Sequence, residues 1–253
     1  MGSNRRETNG QYSPDGKRIA YSSNRSGNYD LWVADADGDN ATQITNLGAG
    51  LTGAPRWSPD GKRIAFDSNQ RGDYDIYVAD ADGRHLKRLT NEFTNFAPVF
   101  TADDKHLLYS SNRTGRGEVW TYDLESGASS QLTHTGGQGP MPSSDGKFVF
   151  YVSGQGAVSM LMRIPAAGGE PQKLVDGIWR YSFAPSTRGV YYLVAQNKLS
   201  LRFLDFATGK SKELLAVDQA PDLGLSLSPD GRRLLFSKVD RQENDLMLVE
   251  GFR

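Results

Sequence analysis

Three carboxylates at alternate positions, in Asp35-Ala36-Asp37-Gly38-Asp39, have the spacing of an oxygen-rich calcium loop. Such a loop also needs a bidentate acid at its twelfth position, and that position is Asn46. The next copy replaces the third carboxylate with Arg84, and a third reads Asp123-Leu124-Glu125-Ser126-Gly127. A hairpin turn, with Asp bonding its own backbone and Gly at positive φ, accounts for all three copies. No metal and no other cofactor is expected.

A second set pairs a base with an acid. Ser23-Asn24-Arg25-Ser26-Gly27 precedes Asp30, Ser68-Asn69-Gln70-Arg71-Gly72 precedes Asp75, and Ser111-Asn112-Arg113-Thr114-Gly115 precedes Glu118. A ring of arginines on one face could bind anions. Repetition favours a structural role instead, with each acid holding its own hairpin through Ser or Arg, because one ligand site needs different residues from each repeat. Nucleophilic catalysis finds little support. The histidines are His85, His106 and His134, no GxSxG occurs, and Gly154-Gln155-Gly156 has no following helix N-terminus to cradle a phosphate. The chain is expected not to be an enzyme.

The elements that must position these residues follow from one repeat. SPDG starts at Ser13, Ser58 and Ser228, with degenerate copies at Thr101, Ser143 and Pro185, so the starts advance by 45, 43, 42, 42 and 43 residues. Residues 12–45 and 57–90 are identical at 20 of 34 positions. In each unit Asp15-Gly16, Asp60-Gly61 or Asp230-Gly231 closes a turn, with Pro presetting φ and Gly accepting a positive one. In the second unit, strands are predicted at Arg56-Trp57, Arg63–Phe66, Tyr74–Val78 and Leu86–Thr90, where aromatic and β-branched residues suit a half-buried pleat. A four-stranded antiparallel meander repeating every 43 or so residues is the signature of a propeller blade.

The fold class is therefore all-β, a six-bladed β-propeller of four-stranded antiparallel blades, forming one domain over residues 1–253. Blades are placed near 9–45, 54–90, 97–133, 140–175, 181–217 and 223–250. No segment sustains a 3.6-residue period, so helix should be minimal. The sixth unit reaches Asp245 and Leu246–Val249 but lacks an outer strand. A polar N-terminal strand over residues 4–8 is predicted to supply it, since closure removes an open sheet edge.

Composition bounds the partners. With 29 basic and 30 acidic residues there is no bulk attraction for nucleic acid or an anionic membrane, and no apolar run of spanning length occurs. The start MGSNRRETNG shows no signal-peptide pattern, and the absence of cysteine excludes disulfides without naming a compartment.

In a meander the turns after the first and third strands share one face and are stereotyped here; the other face varies. Its fourth-to-first connections bring Phe93, Asn95, Phe96, His134, Met141 and Trp179 toward the channel mouth, with Arg56 and Arg180 entering the innermost strands. An aromatic, arginine-containing funnel has the composition of a recognition hot spot. Packing between blades is the plainer reading for Phe96 and Trp179.

PxWSPDGKRIAF, SNRxGxxDLWVxDADG and the terminal QLT resemble the WD40-like (PD40) repeats of the TolB C-terminal propeller, strongly over residues 12–133 and 224–250. The C-terminal LSLSPDGRRLLFSKVDRQENDLMLVEGFR is also similar to propellers of bacterial winged-helix regulators or kinases. The resemblance implies a monomeric six-bladed binding scaffold whose partner is a protein or peptide, or a small polar ligand. It implies a periplasmic location if TolB-like, and a cytoplasmic or periplasmic one if a regulator fragment. The alternatives are a ligand-sensing module of a larger bacterial regulator or kinase, and a cryptic metal-dependent hydrolase or lyase.

Overall fold

The computed structural model describes residues 6–154, 158–195, 199–217 and 224–237, and among them there is no helix. The chain is a succession of antiparallel meanders. The first sheet holds β1 (Glu7–Tyr12), β2 (Arg18–Ser23), β3 (Asp30–Asp35) and β4 (Thr42–Gln43) in that order. The second repeats it with β5 (Thr52–Trp57), β6 (Arg63–Arg71), β7 (Asp73–Asp80) and β8 (Lys87–Arg88). The third has β9 (Asn95–Phe100), β10 (His106–Ser111), β11 (Glu118–Asp123) and β12 (Ser129–Gln131).

The fourth and fifth units merge into one seven-stranded sheet. It runs through β13 (Gln138–Pro142), β14 (Phe148–Ser153), β15 (Val158–Pro165), β16 (Gln172–Pro185), β17 (Gly189–Ala195), β18 (Leu199–Asp205) and β19 (Ser211–Val217). The 14-residue β16 is both the last strand of one unit and the first of the next. Beyond it, β20 (Leu225–Leu227) pairs with β21 (Leu234–Phe236).

Period-two alternation explains the core. Along β6, Ile64 and Phe66 pack with Ala20, Leu31 and Val33 of the first sheet, whereas Ala65 faces Phe100, Leu107 and Tyr109 of the third. Each sheet is thus covered on both faces by its neighbours, a propeller-like arrangement. Burying a side chain such as Phe66 or Ile64 contributes about 1.5–3 kcal/mol. Innermost strands touch in chain order, β1 to β5 to β9 to β13 to β16 to β20, and β20 contacts β1.

The SPDG motif forms a self-contained turn. Ser13 Oγ donates to Asp15 Oδ1 at 2.6 Å and accepts the N–H of Arg18 at 2.9 Å, while Gly16 N–H reaches the Ser13 carbonyl with φ at 69°. Those contacts hold the Asp15 carboxyl below its ordinary pKa, and Asp60 and Asp230 behave alike, each led by its serine. The arginine after the turn reaches the next unit. Arg18 lies over Trp57 at 4.7 Å, and Arg63 lies over Phe100 at 5.0 Å and pairs with Asp104 at 2.8 Å.

Three expectations change. Glu7 and Thr8 pair with Ser23 and Ser22, so they begin the innermost strand of the first sheet rather than an outer strand, and the same ladder resumes at Gln11 and Tyr12 after a bulge. The proposed partner segment Leu246–Val249, with Asp245, lies outside the described residues. The outer strands β4 and β8 are two residues long, shorter than Leu86–Thr90 suggested. Finally, the fourth-to-first connections are partly strand, since β5, β9 and β13 begin at Thr52, Asn95 and Gln138.

Candidate functional site

Each of the first four innermost strands carries a bulge at one repeat position. Asn9, Ala54, Ala97 and Gly139 adopt φ of 57°, 47°, 52° and 60°, where the pairing register of β1, β5, β9 and β13 shifts. The bulge turns backbone toward the preceding unit. Ala97 N–H donates to Asp67 Oδ2 at 2.7 Å and Gly139 N–H to Ser110 Oγ at 2.9 Å, while Ser22 Oγ donates to the Thr52 carbonyl. Ser22, Asp67 and Ser110 are the fifth residues of β2, β6 and β10, so one side-chain position fastens each sheet to the next.

Small residues at the bulges leave a channel of about 540 Å³. Its wall includes Tyr29, Tyr74, Phe96, Met141 and Tyr181, and its charged groups among the described residues are Arg6, Arg56 and Asp67. The tyrosines enter from different places. Tyr29 and Tyr74 precede the acids Asp30 and Asp75, whereas the third unit has Gly117 there, and Gln138 occupies the room that a Cβ of Gly117 would need. Gln138 accepts the hydroxyl of Tyr181, carrying the aromatic wall on to β16.

Asp67 departs from its serine counterparts. It is 6% exposed, and burial pushes its carboxyl up to about 7 against the opposing pull of the Ala97 N–H and the Arg56 charge. Arg56, on the adjacent β5, is lowered to about 10 by burial, with Asp67 acting the other way, so it stays cationic at neutral pH. Its guanidinium also donates to the Pro55 carbonyl at 3.0 Å. Burial raises the Tyr74 hydroxyl, with a smaller push from Asp67, and burial raises Tyr181. The chemistry on offer is a half-buried cation beside a buried carboxyl that titrates near neutrality, under an aromatic mouth.

Residues 11–220 match the family model of the TolB β-propeller domain. The chain belongs to that family. TolB from Acinetobacter baumannii superposes with a TM-score of 0.77 at 26% identity, over 87% of this chain and 56% of that one, so the chain spans little more than half of that TolB. Putative TolB from Agrobacterium tumefaciens gives 0.76 at 20% identity, over 94% and 93%. An oligogalacturonate lyase from Vibrio parahaemolyticus gives 0.66 at 15% identity, over 97% and 75%, a likeness of fold. No curated protein sequence matches the chain.

Within this TolB-type propeller, the residues expected at the funnel separate into two groups. Arg56, Phe96 and Met141 line the channel. Phe93 is exposed, with Arg113 stacked 6.0 Å over it; Asn95 is fully buried and bonds the carbonyls of Glu92 and Phe93. His134 is exposed, and its carbonyl accepts from Arg116. Trp179 packs against Ala184, Leu193, Leu201 and Leu225, and Arg180 lies over its ring at 5.5 Å with φ at 50°.

The repeated acids are held within their own sheets. Asp30, Asp75 and Glu118 accept the hydroxyls of Thr45, Thr90 and Thr133 at 2.9, 3.2 and 2.6 Å, and the same threonines accept the N–H of Leu31, Ile76 and Val119. Their fasteners are therefore threonines just past the fourth strand, not Ser23 or Arg25. Arg88 grips Asp75 and Arg116 grips Glu118, whereas Arg25 reaches Glu7 and stacks over Trp32. Among the described residues, no group of three or more His, Asp or Glu is placed to hold a metal ion.

Sequence reasoning missed Asn9, Tyr29, Asp67, Tyr74 and Tyr181. Asp67 left a signal, because aligned second strands read Tyr21-Ser22-Ser23, Phe66-Asp67-Ser68 and Tyr109-Ser110-Ser111. A carboxylate stands where the repeat has serine.

Proposed function

We propose that the chain is a six-bladed, non-catalytic TolB-like propeller that docks a segment of a protein partner in the channel mouth. The observation that carries this is the 540 Å³ channel, whose aromatic wall surrounds a half-buried Arg56 and a buried Asp67. Amphipathic rings that present a large surface at little entropic cost, around a few charged groups, are what protein recognition uses. Membership of the TolB propeller family is taken to favour a protein partner over a small ligand. The six-bladed reading is supported by the return of β20 onto β1, and by Tyr12 N–H donating to Ser226 Oγ at 3.3 Å.

The test is site-specific photocrosslinking in cells that make the protein. A crosslinking residue replacing Phe96 should give a discrete protein adduct that disappears with Arg56→Glu. The same residue replacing Leu86, exposed near the outer strand, should give none. Identical adducts from both positions, or none from position 96, would sink the reading.

A further inference from the structure

The channel floor narrows to one point. A Cβ built on Gly53 would stand 3.8 Å from Asp67 Oδ1, 3.9 Å from Asn9 Nδ2 and 4.0 Å from Ser22 Oγ. Glycine at position 53 leaves that volume open, and polar groups from β6, β1 and β2 border it. All three atoms keep bonding capacity. Asp67 is 6% exposed and its Oδ2 is taken by the Ala97 N–H, which leaves Oδ1 without a hydrogen bond among the described residues. The Asn9 side chain also has no hydrogen-bond partner among the described residues. Ser22 has committed its proton to the Thr52 carbonyl, so toward the opening its oxygen can only accept.

Charge does not decide what fits, because Arg56 and Asp67 offset one another and Arg6 is exposed and engaged with other groups. The count of donors and acceptors decides it. Ionised Asp67 presents one acceptor, Ser22 a second, and Asn9 Nδ2 a donor. The complement is a compact group with two donors and one acceptor, a primary carboxamide. A carboxylate only accepts, and would set its oxygens against those of Asp67 and Ser22. An ammonium only donates, which leaves Asn9 Nδ2 unmatched and adds a cation beside Arg56. A hydroxyl has one proton for two acceptors, and a trans peptide bond has one N–H, directed away from its own C=O. We propose that the floor over Gly53 is a subsite for a primary carboxamide, the side chain of an Asn or Gln in the docked segment. Its NH2 donates to Asp67 Oδ1 and Ser22 Oγ, and its oxygen accepts from Asn9 Nδ2.

This rests on the docking role of the channel and names the side chain that the channel selects. The charged and titratable groups around Asp67 are Arg56 from β5 and Tyr74 from β7, with Arg6 farther along the wall. Burial brings Asp67 to about 7, against the opposing pull of the Ala97 N–H and of Arg56. Because Oδ2 accepts from Ala97, a proton on this carboxyl turns Oδ1 from acceptor into donor, and the match to a carboxamide is lost. A bound carboxamide therefore favours the ionised form, and its binding tightens as pH rises through 7.

The test titrates blocked peptides, acetyl-Gly-X-Gly-N-methylamide with Gln, Asn, Glu or Met at X, into the ¹⁵N-labelled protein at pH 8 and pH 6. The ends of these probes carry no primary carboxamide. At pH 8 the better of the Gln and Asn probes should shift the amides of Asn9, Gly53 and Ala97 and bind about tenfold tighter than the Met and Glu probes, as hydrogen bonds of ordinary strength allow. Most of that preference should be gone at pH 6, where about nine-tenths of a carboxyl near 7 is protonated. Gly53→Ala sets a methyl at ordinary contact distance from the three polar atoms, so the fold stands while the opening is filled, and the carboxamide preference should vanish. Asn9→Gly suits the φ of 57° and should reduce the preference severalfold. The subsite is overturned if the Met or Glu probe binds as tightly as the better carboxamide probe, if carboxamide binding is tighter at pH 6, if Gly53→Ala keeps the preference, or if no probe shifts the three amides. None of those results touches the crosslink at position 96, which tests docking itself.

Discussion

Pro229 lies against Gly16, its Cδ 3.4 Å from where a Cβ of Gly16 would stand, and Pro14 lies against Gly61 in the same way at 3.6 Å. The sixth SPDG turn thus meets the first as the first meets the second. Leu235 adds to this seam, with Cδ2 only 2.7 Å from a Cβ built on Gly10.

Gly10→Val should therefore destabilise the protein by about 1–3 kcal/mol, because the added methyls overpack the Leu235 site. Gly10→Val combined with Leu235→Ala should recover part of the loss, a coupling read from denaturant midpoints of the four proteins. Strictly additive losses would show that the two side chains do not share this space.

The bulge residues store strain unevenly. Ala97, at φ 52°, holds a conformation that glycine adopts freely, and Ala97→Gly should raise stability by about 0.5–1 kcal/mol. Gly139→Ala runs the other way, since its φ is 60° and its Cβ would stand 2.9 Å from Tyr181 Cδ1. Thermal melts of the two variants should move in opposite directions.

The threonine just past each outer strand is a double fastener. Thr90→Val removes the acceptor for Ile76 N–H and the hydroxyl on buried Asp75, and should cost about 1–3 kcal/mol for the groups left unsatisfied. Thr90→Ser keeps both bonds and should cost much less. Equal midpoints for Val and Ser in urea unfolding would refute the fastening.

Asp67 makes stability fall as pH rises. Its folded pKa of about 7 lies above the unfolded value of 3.8, so the folded state holds the extra proton between those values. The contribution is complete below the unfolded value and is lost as pH climbs through 7, with a slope of at most about 1.4 kcal/mol per unit. Denaturation midpoints of Asp67→Asn should decline less between pH 5 and pH 8 than those of wild type.

Much of the fold was legible because turns and strands follow local rules. Gly61 and Gly83 mark their turns by positive φ, and Ile64, Ala65 and Phe66 carry the alternation that assigns two faces. The bulges were not legible, since nothing in the residue type of Ala54 or Ala97 announces a left-handed backbone. Glu7 and Thr8 were misplaced because a polar segment suits an outer edge as well as a channel wall. Phe93 and His134 sit on connections, whereas Trp179 and Arg180 lie within β16, and which way each side chain turns depends on neighbours that the repeat does not encode. Tyr29 and Tyr74 were overlooked because they repeat, although it is their replacement by Gly117 that shapes one side of the channel.

The unbroken β16 gives the fourth and fifth units a shared fate. Its first half, Gln172 to Trp179, pairs with β15 and its second half, to Pro185, with β17, the two ladders meeting at Ile178, so peeling one unit away pulls on the strand that carries the other. In hydrogen exchange the two should behave as one cooperative block. Here too the repeat signature decays, to Ser143-Ser144-Asp145-Gly146 and Pro185-Ser186-Thr187-Arg188-Gly189. Where a continuous strand ties two neighbours together, their hairpin turns no longer have to set the register alone, and a weaker turn motif suffices.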